Sequence, residues 1–248
     1  MRIALPALAV LAVAALASAP LPSAGAEETR GLGIWMAGGI RPGQTRFSAT
    51  RTFTEFAEQG HIDSQYRQDA GPGGEGGLRW RFAHHLAVAA GASFTRRKQT
   101  GTFSAALPHP FFFGAFRHAE GEFAGRSARE TAVHLDLAAT GGRALEWTIF
   151  AGPSLVAARV DLVRGVEYTH AYPYDVVTVT GAPLAAAPGH AAGFNAGAGL
   201  DWRVSAHVAL GLRSRFYRAT LRLRPTAEEG VTFHAGGLLA TAGVGFDF

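Results

Sequence analysis

Glu130, His134 and Asp136 are the residues best suited to chemistry, because an imidazole and a carboxylate spaced i, i+2 project from the same face of an extended strand. Such a pair can ligate a metal ion or orient a proton relay. It can equally belong to an ion-paired interior, and that reading is preferred, since a buried charge endures only when paired. His84 and His85 are adjacent, so on a strand they point to opposite faces, and a solvated turn suits them better than a metal pair. The run Gly71 to Gly77 lacks the Lys-Ser/Thr of a phosphate loop and precedes a strand; it reads as a flexible loop. No Gly-x-Ser-x-Gly signature marks a nucleophile, and the absence of cysteine removes disulfide frameworks and thiolate metal sites. No catalytic residue, cofactor or metal is assigned.

The basic residues number 23 against 19 acidic ones, and Lys98 is the only lysine. Arginine favours fixed pairing with carboxylate or phosphate. The arginines are scattered through every segment beside acids, which speaks against a nucleic-acid partner. Arg96, Arg97 and Lys98, with Arg218, Arg222 and Arg224, stand at strand ends where they could clamp lipid phosphates. A second unusual cluster, His109 to His118, holds Phe111, Phe112, Phe113 and Phe116, and a later segment holds Tyr168, His170, Tyr172 and Tyr174. Both invite a surface-ligand reading; packing of the rings over an opening or against lipid is the preferred one.

Elements able to position these residues follow from a repeated period of two. Leu32, Ile34, Met36 and Ile40 form a first apolar face, with the phase of Trp35 open. Leu78, Trp80 and Phe82 alternate with Arg79 and Arg81, and after Ala83 to His85 the pattern continues through Leu86, Val88 and Phe94. Val133, Leu135 and Leu137 precede the Gly141-Gly142 turn, and Leu145, Trp147, Ile149 and Leu155 follow it. Phe194, Leu200 and Trp202, a turn at Arg203 to Ala206, then Val208, Leu210, Leu212 and Phe216 repeat the scheme, and Val231 to Phe248 closes it. The reading is all-β: eight antiparallel strands of about 9 to 11 residues, with tight turns at one end and, at the other, long loops near Pro42–Gly74, Thr100–Ser127 and Val163–His190 and a short one near Pro225–Gly230. Met1-Arg2, the apolar run from Ile3 and the site Ala24-Gly25-Ala26 read as a secretory signal covering 1–26, leaving 27–248 as one domain. No later stretch approaches the roughly 18 apolar residues of a transmembrane helix.

Strands apolar on one face only, ending on Phe246 and Phe248 with nothing following to bury them, point to lipid as the cover. An up-and-down transmembrane β-barrel results. Its interior is just filled by side chains, here Glu75, Arg79, Arg81, Glu130, His134, Asp136, Glu146, Asn195, Asp201, Arg213, Arg215 and Asp247. Both signs are present, so a plugging Arg-carboxylate network is expected, with Asn195 beside Arg213, Arg79 near Asp136, and Arg81, Glu146, Asp201 and Asp247 lowest. Trp80, Phe82, Trp147, Trp202, Phe246 and Phe248 gather at the tight-turn end as an aromatic girdle. A soluble barrel with the faces reversed shares the alternation; the few charges of both signs among glycines weigh against it.

This strand count, loop layout and terminal Gly-Phe-Asp-Phe resemble the small eight-stranded outer-membrane barrels of the OmpA-like transmembrane and opacity-protein type. The resemblance covers essentially all of 27–248, without the peptidoglycan-binding domain of some members. It implies the bacterial outer membrane, contact with its lipid and lipopolysaccharide, and a terminal strand whose Phe246 and Phe248 are read by the barrel-assembly machinery. The role implied is structural, or surface contact through Phe111, Phe112, Phe113, Phe116, Tyr172 and Tyr174 to an unidentified ligand, by a monomer. A narrow porin-like channel and an outer-leaflet lipid-modifying enzyme are the alternatives.

Overall fold

A computed structural model describes residues 31–142, 144–224 and 230–248. The signal reading of 1–26 and the loop near Pro225–Gly230 fall largely or wholly outside them. Eight strands close a ring by antiparallel pairing: β1 (Gly31–Arg41), β4 (Gly71–Ala83), β5 (Leu86–Pro108), β6 (Phe116–Gly141), β7 (Leu145–Val163), β10 (Leu184–Arg203), β11 (Val208–Leu223) and β12 (Val231–Asp247). The last strand pairs with the first from Gly33↔Asp247 to Ile40↔Ala240, so the sheet has no free edge in this span. Two hairpins complete the fold above the ring. One is β2 (Thr45–Glu55) with β3 (Glu58–Gln68), which lies along the upper half of β5, and the other is β8 (Glu167–His170) with β9 (Val177–Gly181).

The strands exceed the expected span. β6 runs 26 residues and β5 runs 23, where about 10 suffice to cross a bilayer. The segments expected as loops at Thr100–Ser127 and Val163–His190 are largely strand, because their alternation continues with the chemistry of the two faces exchanged. β11 shows it best. Leu210, Leu212 and Phe216 point out, against Arg213 and Arg215 pointing in; from there Arg218, Thr220 and Arg222 point out, against Tyr217, Ala219, Leu221 and Leu223 pointing in. Its pairing with β12 runs without a register shift, so the backbone phase is unchanged and only the residue types swap. Below the swap the outside is apolar, with Leu137, Ile149 and Trp202 each 59% exposed. Above it the outside is polar, and Tyr66, Phe103, Val160, Leu162, Leu221 and Phe233 fill the interior as one apolar core.

Gly71 to Gly77 is likewise strand, paired to β1 on one side and β5 on the other, and not a loop. At Gly77 the glycine leaves room for a ring. Trp35 points inward, 5% exposed, and a Cβ on Gly77 or Gly91 would meet its indole at 2.5 and 3.0 Å. Arg213 covers the same ring at 4.6 Å. That settles the phase of β1: Leu32, Ile34, Met36 and Ile40 face out, and Arg41 faces in.

Candidate functional site: a layered lumen beneath an exposed crown

The lowest layer sits just above the tight turns. Glu146 accepts from Arg79 at 3.0 Å, Arg81 at 2.6 Å and Arg203 at 2.8 Å. Arg79 also reaches Asp247 at 3.0 Å and Asp201 at 3.7 Å, and Arg213 lies 3.5 Å from Asp201. Branched pairing of this kind satisfies several donors per carboxylate. The turns below are tied in: the His85 ring meets the Thr140 carbonyl at 3.0 Å and the His207 ring meets that of Asp247 at 3.1 Å.

One turn of side chains higher, Arg215 is the hub. It donates to Glu75 and Asp136, each at 2.9 Å, and to the side-chain oxygen of Asn195, with its guanidinium 4.4 Å from the Phe150 ring centre. Two sequence expectations are corrected here. Asn195 contacts Arg215 and not Arg213, and Asp136 pairs with Arg215 and not Arg79, because the stagger of tilted strands offsets residues that match by counting from the turns. Glu75 accepts a further bond from Thr241 at 2.7 Å. His134 lies between Ser93, 2.8 Å from Nε2, and Ser154, 2.7 Å from Nδ1, while Asn195 donates to Ser154 at 3.1 Å. His134 and Asp136 therefore share a face but no bond.

The top layer pairs Arg41 with Glu130 at 2.6 Å, each 2% exposed. Arg41 also donates to the Gly236 carbonyl, and the Gly236 N–H donates to Glu130 at 2.8 Å. Gly236 and Gly237 have φ of 98° and 143°, which only glycine adopts without strain, and this turns their backbone toward the pair. Across the layers six arginines (41, 79, 81, 203, 213, 215) face six carboxylates (75, 130, 136, 146, 201, 247). Arg41 and Arg203 escaped the sequence reading, although each lies on the inward phase of its strand; Tyr217, Ser93, Ser154 and Thr241 share that signal. Above Glu130, Arg97 donates to the carbonyls of Asp69 and Gln68 at 2.9 and 2.8 Å, and Gln68 bonds Gln99 at 3.0 Å, before the apolar core begins. Among the described residues no group of three or more His, Asp or Glu side chains could hold a metal ion.

The aromatic residues form a crown at the far end. Phe111, Phe112 and Phe113 are 69%, 63% and 90% exposed at the tip of the β5–β6 hairpin, and Phe116 is 43% exposed beside them. They do not pack over the barrel mouth or reach the bilayer: Arg96 to Pro108 is strand, roughly 40 Å along its axis. The tip is rigidly held. His109 Nδ1 accepts from the Phe111 and Phe112 N–H groups, both at 3.2 Å, and Glu58 accepts from Gly114 N–H at 2.5 Å. Tyr174 sits 5.4 Å from Phe111 and 6.1 Å from Tyr172. Burial, and then the Glu55 carboxylate 2.6 Å from its hydroxyl, raise the Tyr168 phenol above its ordinary range.

No family model and no curated protein matches the chain. Among solved structures it is similar to the outer membrane protein OprG of Pseudomonas aeruginosa, at 11% identity over 89% of this chain and 97% of that one, with a TM-score of 0.47. It is similar also to the outer membrane protease OmpT of Escherichia coli (8%, 88% and 97%, 0.43) and to the N-terminal β-barrel domain of Pseudomonas aeruginosa OprF (12%, 88% and 99%, 0.32). The closed ring, its apolar outer belt and its charged interior make this chain a transmembrane β-barrel of the outer-membrane type.

Proposed function

We propose that this barrel is a closed anchor in the outer membrane, with a structural role and surface contacts made by the crown, and that it does not pass solutes. The supporting observation is burial. Arg215 and Glu75 are 1% exposed at their side chains and Asp136 is 2%, whereas groups lining an aqueous passage would be wetted. The apolar core above the charged layers adds a second obstruction of opposite chemistry. An extended, internally bonded platform carrying exposed aromatic rings is suited to contact with a partner, as functional loops on rigid scaffolds are. A catalytic reading of His134 lacks comparable support, since both ring nitrogens are engaged by serines in the buried lumen. Planar-bilayer recording tests the closed state: purified folded protein is expected to give no steady conductance, and regular single-channel steps would replace this reading with a channel.

A further inference from the structure

Three arginines stand abreast on the outside of the barrel. Arg96 on β5 is directly opposite Arg129 on β6, and Arg129 is directly opposite Arg159 on β7, all exposed. Like charges at facing positions repel, so a ladder of three is unfavourable without a counter-charge. Among the described residues no carboxylate lies within ion-pair distance of any of them. Asp161 lines the same outward hollow of about 810 Å³, with Ser127 and Leu184, yet pairs with none of the three. Among the described residues the only polar contact at the ladder is Arg96 Nε donating to Ser127 Oγ at 2.8 Å.

The height of the ladder says what supplies the missing charge. On the same outward face Phe94, Thr131 and Ala157 lie immediately below toward the belt and Leu155 one outward position lower, with Phe94 58% and Leu155 53% exposed, while the face above carries Lys98 and Asp161. The guanidinium groups are thus at the upper boundary of the apolar belt, where lipid headgroup phosphates reside. A second, independent feature adjoins them. Gly38, Gly76 and Ala92 leave a trough in the lipid-facing wall between Met36, Phe94 and Val133, and Phe94 links that trough to the ladder.

We propose that Arg96, Arg129 and Arg159 bind the phosphate of a phosphorylated membrane lipid whose acyl chain lies in the trough below. This rests on the membrane-barrel reading but not on the closed lumen or on the crown. Forked Arg-phosphate bonds supply the affinity and the trough aligns the chain. Of the basic strand ends noted in the sequence the site keeps Arg96 alone and adds Arg129 and Arg159: Arg97 points into the barrel, and Arg218 and Arg222 lie on β11, away from the ladder.

The probes are purified lipopolysaccharide and the same material after enzymatic removal of its phosphates, added to folded protein in detergent and read by native mass spectrometry. Wild type is expected to retain the phosphorylated form at least roughly tenfold better, each lost charged bond being worth about that factor. Arg129→Ala with Arg159→Ala should abolish the preference, whereas Arg218→Ala with Arg222→Ala should preserve it. Equal retention of both lipids by wild type, or equal loss in the two double variants, overturns the site. Folding is checked by heat-modifiable gel mobility; should the alanine pair not fold, Arg129→Lys with Arg159→Lys serves, and wild-type binding by that pair overturns the forked recognition. Ala92→Trp fills the trough without altering charge, and unchanged retention there would remove the acyl half of the proposal. None of these variants is expected to open conductance, so failure here and failure of the closed-anchor reading are read on separate instruments.

Discussion

The lower and upper halves of the barrel solve the same problem with opposite materials. In the lower half the wall turns its apolar face to lipid and its interior holds six arginines against six carboxylates. In the upper half the wall turns polar residues to water, and Phe103, Val160, Leu162, Leu221 and Phe233 fill the same interior. The difference teaches that each half of a strand has one apolar face, and that the residue types change faces at the swap, to the outside where lipid covers them and to the inside where water does not, while the backbone phase stays the same. Charge in the lower lumen is then a consequence of spending the apolar face on lipid, and it is tolerable because each guanidinium finds a carboxylate.

That contrast can be broken most severely at its hubs. Arg215→Leu strands Glu75 and Asp136 in a buried site, and a loss of about 3–5 kcal/mol is expected in gel-shift thermal unfolding. The triple change Arg215→Leu, Glu75→Leu and Asp136→Leu makes the lower lumen resemble the upper one and should recover most of that loss; no recovery would mean the charges do more than neutralise one another. In the upper half Leu221→Ala is expected to cost about 2–5 kcal/mol through its cavity, read as faster proteolysis of the β2–β3 and β5–β6 extensions while membrane insertion stays intact. On the outer wall a charge should matter only below the swap. Leu212→Arg is expected to destabilise by about 2–4 kcal/mol in the lipid belt, against changes within about 0.5 kcal/mol for Thr220→Arg on the same strand and face. Smallest in equilibrium terms, deletion of Phe248 is expected to slow insertion in an assembly assay more than it lowers thermal stability, and equal losses would deny it a signalling role.

Much of the fold was legible because the period of two survives in both halves. The tight turns at Ala83–His85, Gly141-Gly142 and Arg203–Ala206, the outward phase of Trp80, Trp147 and Trp202, and the charge-bearing phase of Arg79, Arg213 and Arg215 are all local properties. The upper strands were misread as loops for a related reason: Thr102, Phe103, Ser104 and Ala105 alternate as cleanly as Leu135 to Ala138, but with the inward residues apolar. Gly71 to Gly77 reads as a loop because a glycine run carries no face of its own; only the neighbouring strands show what the missing side chains make room for, Trp35 at Gly77 and Leu239 at Gly73.

From sequence alone, then, come the strand-forming alternation, the residues able to face lipid and the inward charges other than Arg41 and Arg203, since each depends only on neighbours two positions apart. Tertiary structure alone decided which charges meet. Arg41 and Glu130 are on β1 and β6, Arg215 and Asp136 on β11 and β6, Arg79 and Asp247 on β4 and β12, and none of these strand pairs is hydrogen-bonded. Their meeting depends on the closure and stagger of the whole ring, a geometry set by every strand at once. The arginine ladder depends likewise on register across three strands, where one residue of slip would turn the middle guanidinium into the lumen.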